Sequence, residues 1–432
     1  MAPYVSIEKL DQHVDQEVII KGWLYNRRTQ GKLIFPIIRD GSGFVQGVIF
    51  KGDFDEATFS QWDKLPYESA VEVVGKVVAD KRAQGGVEVQ LKKLQVLSVA
   101  EEYPISLQEH GPDFLLAHRH LWLRSKKPWA EMRVRHTIIR AIHEYFDMNG
   151  FTQFDAPILT PNACEGTSTL FGVKYFEEGM AYLTQSGQLY GEAGAFALGK
   201  VYVFGPCFRA EKSKTRKHLT EFWMVEPEIA FATLADIMDT AEAFLCHIVK
   251  RVLEKRRLEL QVLGRDITKL EAIKPPFPRY TYKEAVQIMQ EKGHAFQDGS
   301  DLGSPDEQAL TDGHATPIMI SHWPAPVKAF YMATDPNDKN IALGVDVLAP
   351  EGYGEIIGGG ERSTDLPYLL KQIEKEKLNE EDFKWYLDLR RYGTVPHGGF
   401  GLGLERTITW ICGTEHIREA IPFPRMIYRI YP

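Results

Sequence analysis

The stretch 203–231, VFGPCFRAEKSKTRKHLTEFWMVEPEIAF, decides how the larger part of the chain folds. It begins and ends in apolar, β-branched and aromatic residues, which predict strands around 201–209 and 220–231. Between these strands lies a polar segment with four cations, Lys212, Lys214, Arg216 and Lys217. Because clusters of cations usually lie on solvated faces, the pattern predicts two strands joined by an exposed, basic loop.

Helical and extended patterns alternate on both sides of this stretch. Residues 128–150, PWAEMRVRHTIIRAIHEYFDMNG, place apolar side chains on one face between Pro128 and Gly150, which is typical of a helix. The other elements predicted in this part are helices near 188–199 and 234–260, a strand FTQFDAPIL that ends near Pro157, and strands around 172–184 and 341–357. This mixed order predicts an α+β domain built on a mainly antiparallel sheet flanked by helices.

The N-terminal part of the chain has an all-β pattern. Within residues 17–99, five β-branched and partly alternating runs are separated by Gly and Asp turns, and a helical pattern at 54–65 follows the third run. Five strands with one such helix match the OB-fold, a β-barrel that commonly binds oligonucleotides. A small barrel with a purely structural role is the alternative interpretation.

These patterns predict three parts along the chain. An OB-fold domain occupies residues 1–100, a linker or hinge occupies 101–127, and the α+β domain occupies 128–432. The linker is predicted because its segment carries two prolines and mixed charge without clear periodicity. Residues 264–340 are rich in Pro, Gly and Asp, and are predicted to be an insertion inside the third part.

The composition excludes several classes of protein. The chain has 432 residues and a formal net charge of −8, which disfavours a protein that coats nucleic acid indiscriminately. We expect no membrane span and no secretion signal, because no apolar run is long enough for a bilayer and the first residues lack the signal pattern. Four cysteines are scattered without a CxxC pair, which predicts a reducing cytoplasm and neither a cysteine metal site nor cysteine catalysis.

Three segments together resemble a known family. They are HEYFDMNGFTQFDAPIL (143–159), the stretch 203–231, and GGFGLGLERTITWICGTEHIREAIPFPR (398–425). They are similar to motifs 1, 2 and 3 of the class II aminoacyl-tRNA synthetases, and with the OB-fold the chain resembles the subgroup that charges tRNA with Asp, Asn or Lys. The resemblance implies activation of an amino acid with ATP, transfer to the 3′ end of tRNA, and a homodimer whose interface includes motif 1 around Pro157.

The resemblance also implies an ATP site in motifs 2 and 3. Attack of a carboxylate on the α-phosphorus requires fixed cations that neutralise phosphate charge, rather than a protein nucleophile. Arg209 would clamp the α-phosphate and the amino-acid carboxylate, because a guanidinium fork matches both groups. By resemblance, Glu211 contacts the adenine side, Phe222 stacks on the ring and His218 lies near the terminal phosphates. Arg406 would lie against the other face of adenine or reach the γ-phosphate.

A magnesium site is expected in GVDVLAPEGYGEIIGGGER (344–362). Mg²⁺ prefers hard oxygen ligands together with bound phosphates. By resemblance Glu355 is the first protein ligand and Asp346 the second. Gly358 stands where some relatives carry a serine ligand, so this chain lacks that side-chain oxygen.

Substitutions in the expected amino-acid pocket favour asparagine, and therefore tRNA(Asn), as substrates. Arg362 corresponds to the residue that reads the side-chain oxygen of the substrate, and Gly191 stands where aspartyl enzymes carry a second cation. Glu226 replaces an aspartate of those enzymes and is expected near Arg362, where it would partly neutralise the guanidinium and accept from the asparagine amide. One positive charge fewer favours a neutral amide over a carboxylate. Gln188 resembles the residue that holds the α-amino group, and Glu165 lies in a loop that closes over the substrate in relatives.

The OB-fold is expected to read the anticodon. Phe35 and Gln46 resemble the pair of this subgroup that stacks on a middle uridine and reads its edge. Arg27 and Arg28 would hold nearby phosphates. A Phe35 side chain that points into the barrel is the alternative interpretation.

Three other functions remain open from the sequence. The first is an aspartyl enzyme, which could also charge tRNA(Asn); Gly191 and Glu226 argue against it. The second is a paralogue that makes a free amino-acid product without tRNA, and the third is an RNA-binding OB-fold protein with an inactive synthetase domain. Phe35 with Gln46 argues against the second, and the set Arg209, Glu355 and Arg406 argues against the third.

Overall fold

The computed structural model describes residues 2–83, 85–106, 108–164 and 169–432. The chain forms two compact units, Met1–Leu115 and Leu116–Pro432. Their boundary falls inside the segment 101–127, for which the sequence predicted a linker. Two short helices occupy part of that segment. Arg119 is buried in it and donates to the backbone carbonyl oxygens of Glu419, Ile421 and Pro422, near the end of the chain.

The N-terminal unit is a closed barrel of five strands. Its elements are β1 (Glu17–Gln30), β2 (Leu33–Arg39), β3 (Phe44–Phe50), α1 (Glu56–Lys64), β4 (Ala70–Ala79) and β5 (Val87–Ser98). The strand order around the barrel is β1-β2-β3-β5-β4, in which only the described pair β3–β5 is parallel. The predicted OB-fold barrel is therefore confirmed.

Alternating burial along the strands explains why this unit closes. Every second residue of β2 and β3 points inward, including Ile34, Ile38 and Ile49, while the intervening residues stay partly exposed. Helix α1 begins at Asp55, whose carboxylate accepts from the backbone N–H of Thr58 at 2.8 Å. Its Trp62 is fully buried in the barrel core.

The second unit is an α+β domain. Its first elements are α2 (Pro112–Ala117), α3 (Arg119–Trp122), α4 (Lys126–Met148), β6 (Thr152–Gln153), β7 (Leu159–Thr160), β8 (Gly172–Lys174), β9 (Met180–Leu183), α5 (Gln188–Leu198), β10 (Lys200–Phe208) and β11 (Glu221–Ala230). After these come α6 (Leu234–Lys255), α7 (Arg257–Leu263), α8 (Ile267–Glu271), β12 (Arg279–Thr281), α9 (Tyr282–Glu291) and α10 (Ser304–Thr311). The last elements are β13 (Ile318–Pro324), β14 (Ile341–Ala349), β15 (Gly354–Glu361), α11 (Leu366–Lys375), α12 (Glu380–Arg391), β16 (His397–Gly403) and α13 (Leu404–Cys412).

An eight-stranded sheet organises this unit, in the order β12-β13-β14-β15-β16-β11-β10-β6. Its central pairs are antiparallel and only the pairs at the two edges, β12–β13 and β10–β6, are parallel. The predicted mainly antiparallel α+β fold is confirmed. The main core lies where α4, α6 and α13 pack on the sheet, and it includes Ile138, Phe146, Phe244, Phe400 and Ile408.

Several predicted elements are divided in the structure. The region 341–357 is not one strand but the antiparallel pair β14 and β15, which turns at Pro350-Glu-Gly-Tyr with positive φ at Glu351 and Gly352. The predicted strand 172–184 is the hairpin β8–β9, and the predicted helix 234–260 breaks at Arg256 into α6 and α7. The segment 264–340, predicted to be an insertion, is part of the sheet, because it supplies the edge strand β12 and the adjacent strand β13.

Within the described residues, every helix is too short or too polar to cross a lipid bilayer.

Candidate active site

Two adjoining cavities lie over the centre of the eight-stranded sheet. The first has a volume of about 200 Å³ and the second about 230 Å³. Arg209, Met224, Glu355 and Gly401 line both of them, so the two cavities share one wall. Most of the residues singled out from the sequence face one or the other cavity.

The first cavity brings together all six residues that were predicted to bind ATP. They are Arg209, Glu211, His218, Phe222, Glu355 and Arg406. Arg209 directly follows β10, and Phe222 lies at the start of β11 opposite Cys207. The antiparallel pairing of β10 and β11 thus brings the Arg209 guanidinium to 5.4 Å from the centre of the Phe222 ring.

Arg406 and Glu355 face each other across this cavity. Arg406 lies in the first turn of α13, and its Nη1 donates to the Glu355 backbone oxygen at 3.1 Å and to Oε2 at 3.3 Å. Burial opposes ionisation of Glu355, but Arg406 and Lys328 hold the pKa of its carboxyl below the ordinary value. The site therefore holds an ionised acid beside two cations.

His218 lies in the loop between β10 and β11. Its Nδ1 is 3.2 Å from the Ser213 hydroxyl and also contacts Thr215, and its Nε2 is 3.9 Å from Glu211. Burial, followed by the charge of Arg406, lowers the pKa of the His218 imidazole. The ring is therefore neutral near pH 7.

The second cavity contains Gln188, Glu226 and Arg362, three of the residues that were predicted for the amino-acid pocket, and Asp346, which was predicted as a metal ligand. It also contains Lys328, a cation that the sequence analysis missed. Lys328 belongs to the segment 264–340 and to none of the three motifs, so only its position in space could identify it. Its Nζ lies 2.6 Å from Asp346 Oδ2.

The partner of Arg362 differs from the prediction. Glu226 was expected to neutralise the guanidinium, but Glu228 does so, with Oε1 at 2.5 Å from Nη2 and Oε2 at 3.3 Å from Nε. Glu226 instead accepts from the Ser186 hydroxyl and, at 2.8 Å, from the Gly187 backbone N–H. Both acids point to the same side of β11. The register of β11 with β16 places Glu228 opposite Gly399. Glu228 is therefore nearer than Glu226 to the end of β15 that leads to Arg362.

A buried polar network supports this pocket from behind. Glu192 on α5 binds Arg390 at 2.7 Å, His397 at 3.0 Å and the hydroxyl of Tyr386 at 2.9 Å. It also accepts from Gln188 Nε2 at 3.1 Å, which fixes the amide of a predicted site residue. Burial opposes ionisation, but Arg390 and His397 hold the pKa of Glu192 below its ordinary value.

His397 is held opposite the end of β11 by this network. Glu192 and Arg390 were missed because they lie on ordinary helical patterns.

Gly191 lies directly above Glu228. A Cβ at position 191 would be 3.3 Å from Glu228 Cγ and 3.5 Å from Val203 Cγ2. The first contact is tight and the second is an ordinary van der Waals distance, so a side chain fits there only if Glu228 moves slightly.

Asp346 and Glu355 converge near Gly358. Asp346 is opposite Gly358 in the β14–β15 pair, and a Cβ at 358 would be 2.7 Å from Glu355 Oε1 and 3.6 Å from Asp346 Oδ1. Burial, and then the charge of Glu355, raises the pKa of Asp346 to about 7 despite Lys328. The described residues contain no cluster of three or more His, Cys, Asp or Glu ligands. Mg²⁺ usually binds one or two carboxylates together with phosphate oxygens of the substrate. A pair of carboxylates therefore fits Mg²⁺ better than a metal whose ligands all come from the protein.

The barrel carries its predicted residues on the outer face. Phe35 and Gln46 lie diagonally on neighbouring strands, and both are half-buried, so Phe35 does not point into the barrel. Arg28 packs 5.0 Å from the Phe35 ring and shares this face. Arg27 turns away, because its Nη1 donates to the Leu65 carbonyl and its guanidinium packs on Tyr67.

Glu165, which was predicted to belong to a closing loop, lies outside the described residues.

Comparison with known proteins agrees with this geometry. A family model described as tRNA synthetases class II (D, K and N) matches residues 111–427, and an OB-fold nucleic acid binding domain model matches residues 18–97. The asparagine–tRNA ligase of Koribacter versatilis is 56% identical over 100% of this chain and 99% of its own length. That of Thermus thermophilus is 54% identical over 99% of this chain and 100% of its own.

Among solved structures, the asparaginyl-tRNA synthetase from Pyrococcus horikoshii complexed with asparaginyl-adenylate is similar to this chain with a TM-score of 0.94. The two sequences are 46% identical, and the match covers 100% of both chains.

Proposed function

The chain belongs to the class II tRNA synthetases of the aspartate, lysine and asparagine group, and within it to the asparagine–tRNA ligases; from this premise we propose how its residues divide the reaction. The enzyme activates asparagine with ATP to asparaginyl-adenylate and transfers the asparaginyl group to tRNA. The assignments that follow concern the individual residues, the metal ion and the assembly.

The proposal for the first step rests on the wall that the two cavities share. ATP would lie in the first cavity and asparagine in the second, so that the two substrates meet at Arg209. The asparagine carboxylate attacks the α-phosphorus, a mixed anhydride forms, and pyrophosphate leaves. Arg209 offsets charge on both reacting groups, which stabilises the transition state without a covalent enzyme intermediate.

The remaining residues of the first cavity bind the rest of ATP. Phe222 stacks on adenine, with Glu211 at its edge. Arg406 and the neutral His218 hold the terminal phosphates, to which both can donate hydrogen bonds. In the second step, the 3′ hydroxyl of tRNA attacks the adenylate carbonyl, an ester forms, and AMP leaves.

Asp346 and Glu355 would hold Mg²⁺ together with phosphate oxygens of ATP. Bound there, the ion would neutralise phosphate charge as pyrophosphate departs. The convergence of the two carboxylates near Gly358 supports this assignment.

The charges around the second cavity support selection of asparagine. Arg362 would donate to the side-chain oxygen of the substrate, but Glu228 already neutralises its charge. Glu226 would accept from the side-chain NH₂ group, which a carboxylate substrate lacks. Lys328 does not replace the missing cation at Gly191, because its ammonium is paired with Asp346. Gln188 and Glu165 are proposed to contact the α-amino group and to close over the substrate, respectively.

The barrel is proposed to bind the anticodon of tRNA(Asn). Phe35 would stack on the middle base, Gln46 would read its edge, and Arg28 would lie nearest to the phosphates. Arg27 would contribute from the neighbouring edge of the barrel.

The absence of CxxC pairs remains the reason for expecting a reducing cytoplasm.

We also propose a homodimer. Large apolar side chains are exposed on the segments after α4, including Ile158, Leu159, Phe176 and Met180. Apolar surface of this kind usually marks an interface, and Ile158 and Leu159 belong to motif 1. A monomer in sedimentation equilibrium at micromolar concentration would contradict this assembly.

The test of substrate choice is amino-acid-dependent exchange of pyrophosphate into ATP. The exchange is measured with Asn, Asp and Lys separately, and then repeated with tRNA. We expect activity with Asn and little with Asp or Lys. Activity with Asp would show that the charge argument fails and would favour the aspartyl alternative.

A further inference from the structure

The C-terminal segment exposes aromatic rings beside the active site. Tyr428 is 78% exposed, Tyr431 is 72% exposed, and the intervening Ile430 is also exposed. Large apolar side chains on a surface are common singly, but a cluster within four residues calls for an explanation.

This segment is firmly held against the loop between β10 and β11. The Thr220 N–H donates to the Arg425 carbonyl at 2.9 Å, and Glu221 forms a β-bridge with Arg425. Met426 and Arg429 exchange backbone hydrogen bonds of 3.2 and 2.9 Å, and Arg425 Nη1 donates to the Pro432 carbonyl at 2.8 Å. The rings therefore stand on a fixed turn at the rim of the first cavity, where the same loop supplies His218.

One cation of this loop packs against the Tyr428 ring. Lys214 Nζ lies 4.9 Å from the centre of the Tyr428 ring, and Lys212 and Arg216 are exposed on the same loop. Three acids, Glu211, Glu221 and Glu415, lie close by, and Glu415 is 4.0 Å from Arg216. The charged side chains that the loop exposes, Lys212, Lys214 and Arg216, are nevertheless all positive.

We propose that Tyr428 and Tyr431, with Lys214, form a stacking surface for the unpaired 3′ nucleotides of the tRNA substrate. Exposed rings next to cations suit a strand of planar bases and phosphates, because bases stack on aromatic side chains and cations bind the phosphates. A protein partner would need a broader apolar surface, and a membrane would need more cations than this loop offers. The inference rests on the proposed function and adds a binding surface outside the three motifs.

The test compares Tyr428→Ala and Tyr431→Ala with Tyr428→Phe, which keeps the ring. Tyr392→Ala is the matched control, because Tyr392 is 77% exposed and follows α12 instead of contacting the loop. Two quantities are measured for each variant: Asn-dependent pyrophosphate exchange without tRNA, and kcat/KM for tRNA in aminoacylation.

We expect the alanine variants at 428 and 431 to keep wild-type exchange and to lose about fivefold or more in kcat/KM for tRNA, as loss of one stacked base predicts. Tyr428→Phe and Tyr392→Ala should behave as wild type in both assays. An equal loss of exchange and aminoacylation in Tyr428→Ala would overturn the inference, since the segment would then only support the loop. So would unchanged kcat/KM for tRNA, or a defect that Tyr428→Phe shares. Failure of the wild-type enzyme to respond to Asn would instead refute the proposed substrate choice.

Discussion

At the residue scale, most charges in the active site occur as buried pairs rather than as single groups. Arg362 pairs with Glu228, Lys328 with Asp346, and Arg390 with Glu192. Removing one partner from such a pair leaves a buried charge uncompensated, which costs more than the pair itself contributes. Substitutions in this pocket therefore act on specificity only when they leave these pairs intact.

Glu226 meets this condition, because it binds Ser186 and Gly187 rather than Arg362. We expect Glu226→Gln to lower the ratio of kcat/KM for Asn over Asp by about tenfold, since an uncharged side chain no longer repels a substrate carboxylate. Pyrophosphate exchange with each amino acid measures this ratio.

Glu228→Gln is the contrasting variant. It leaves Arg362 without its buried acid, so we expect it to weaken activation of both amino acids and to lower the melting temperature. The specificity assignment fails if Glu226→Gln leaves the Asn to Asp ratio unchanged while Glu228→Gln lowers it.

Glu131 on α4 is a buried acid outside the active site, and it makes stability depend on pH. Burial, and then the nearby Glu419, raises its pKa from 4.5 to about 8, although Arg119 and Lys127 oppose this shift. A raised pKa means that the folded state prefers the protonated acid. Its contribution is complete below pH 4.5 and is lost as the pH rises through about 8.

We therefore expect the unfolding free energy of the wild-type protein to fall by about 2 kcal/mol between pH 6 and pH 8. The Glu131→Gln variant should not show this loss. Denaturant unfolding of both proteins at these two pH values measures the difference. If the unfolding free energies of the two proteins change equally between these pH values, the assignment to Glu131 is contradicted, whatever the absolute stability of the variant.

At the element scale, α10 explains why the segment 264–340 matters to the active site. Its Glu307 is buried, with Oε2 at 3.2 Å from Lys217 Nζ and Oε1 at 3.3 Å from the Glu355 backbone N–H. Gly354 makes room for this carboxylate, because a Cβ there would lie 2.1 Å from it. One side chain thus joins the loop before β11 to the start of β15.

We expect Glu307→Gln to raise KM for ATP about three- to tenfold and to leave KM for Asn nearly unchanged, because a charged hydrogen bond to Lys217 is lost at the phosphate end of the cavity. Pyrophosphate exchange with each substrate varied in turn measures both values.

Asp306→Asn is the control for this prediction. Asp306 caps the same helix through the Gly303 N–H at 2.7 Å but pairs with His294 instead of Lys217. If the two variants change KM for ATP equally, the effect belongs to helix stability and not to Glu307.

Sequence patterns were sufficient to predict some of the helices and strands but not others. The five barrel strands and the β10–β11 pair follow from alternation and turn residues, which act over a few neighbours. The region 341–357 was predicted as one strand, although Pro350 and Gly352 mark the turn that divides it. The break at Arg256 has no comparable local mark, because its side chain donates to the distant Thr137 hydroxyl as well as to the nearby Glu259.

At the scale of the whole molecule, the residues proposed to bind the anticodon and those proposed to carry out the chemistry fall in different compact units. Phe35 lies in the first unit, and both cavities lie in the second. We expect Phe35→Ala to leave Asn-dependent pyrophosphate exchange unchanged without tRNA and to lower kcat/KM for tRNA by about tenfold, as loss of base stacking predicts.

Tyr4→Ala is the matched control in the same unit, because its ring is exposed but packs near Lys21 at the other end of β1. Aminoacylation with tRNA(Asn) transcripts measures the effect. A normal kcat/KM for tRNA in Phe35→Ala would remove the barrel face from the anticodon assignment.

The sequence by itself determined the fold class and the family, and it pointed to six of the residues that line the first cavity. It could do so because strand alternation, turn residues and the three motifs are local patterns, and each motif carries its chemistry within a few residues. The tertiary structure alone decided which acid neutralises Arg362, that Lys328 enters the second cavity, and that Glu307 joins two parts of the site. These contacts link residues 134, 18 and 90 positions apart in the chain. They depend on strand register and helix packing, which local sequence patterns do not encode.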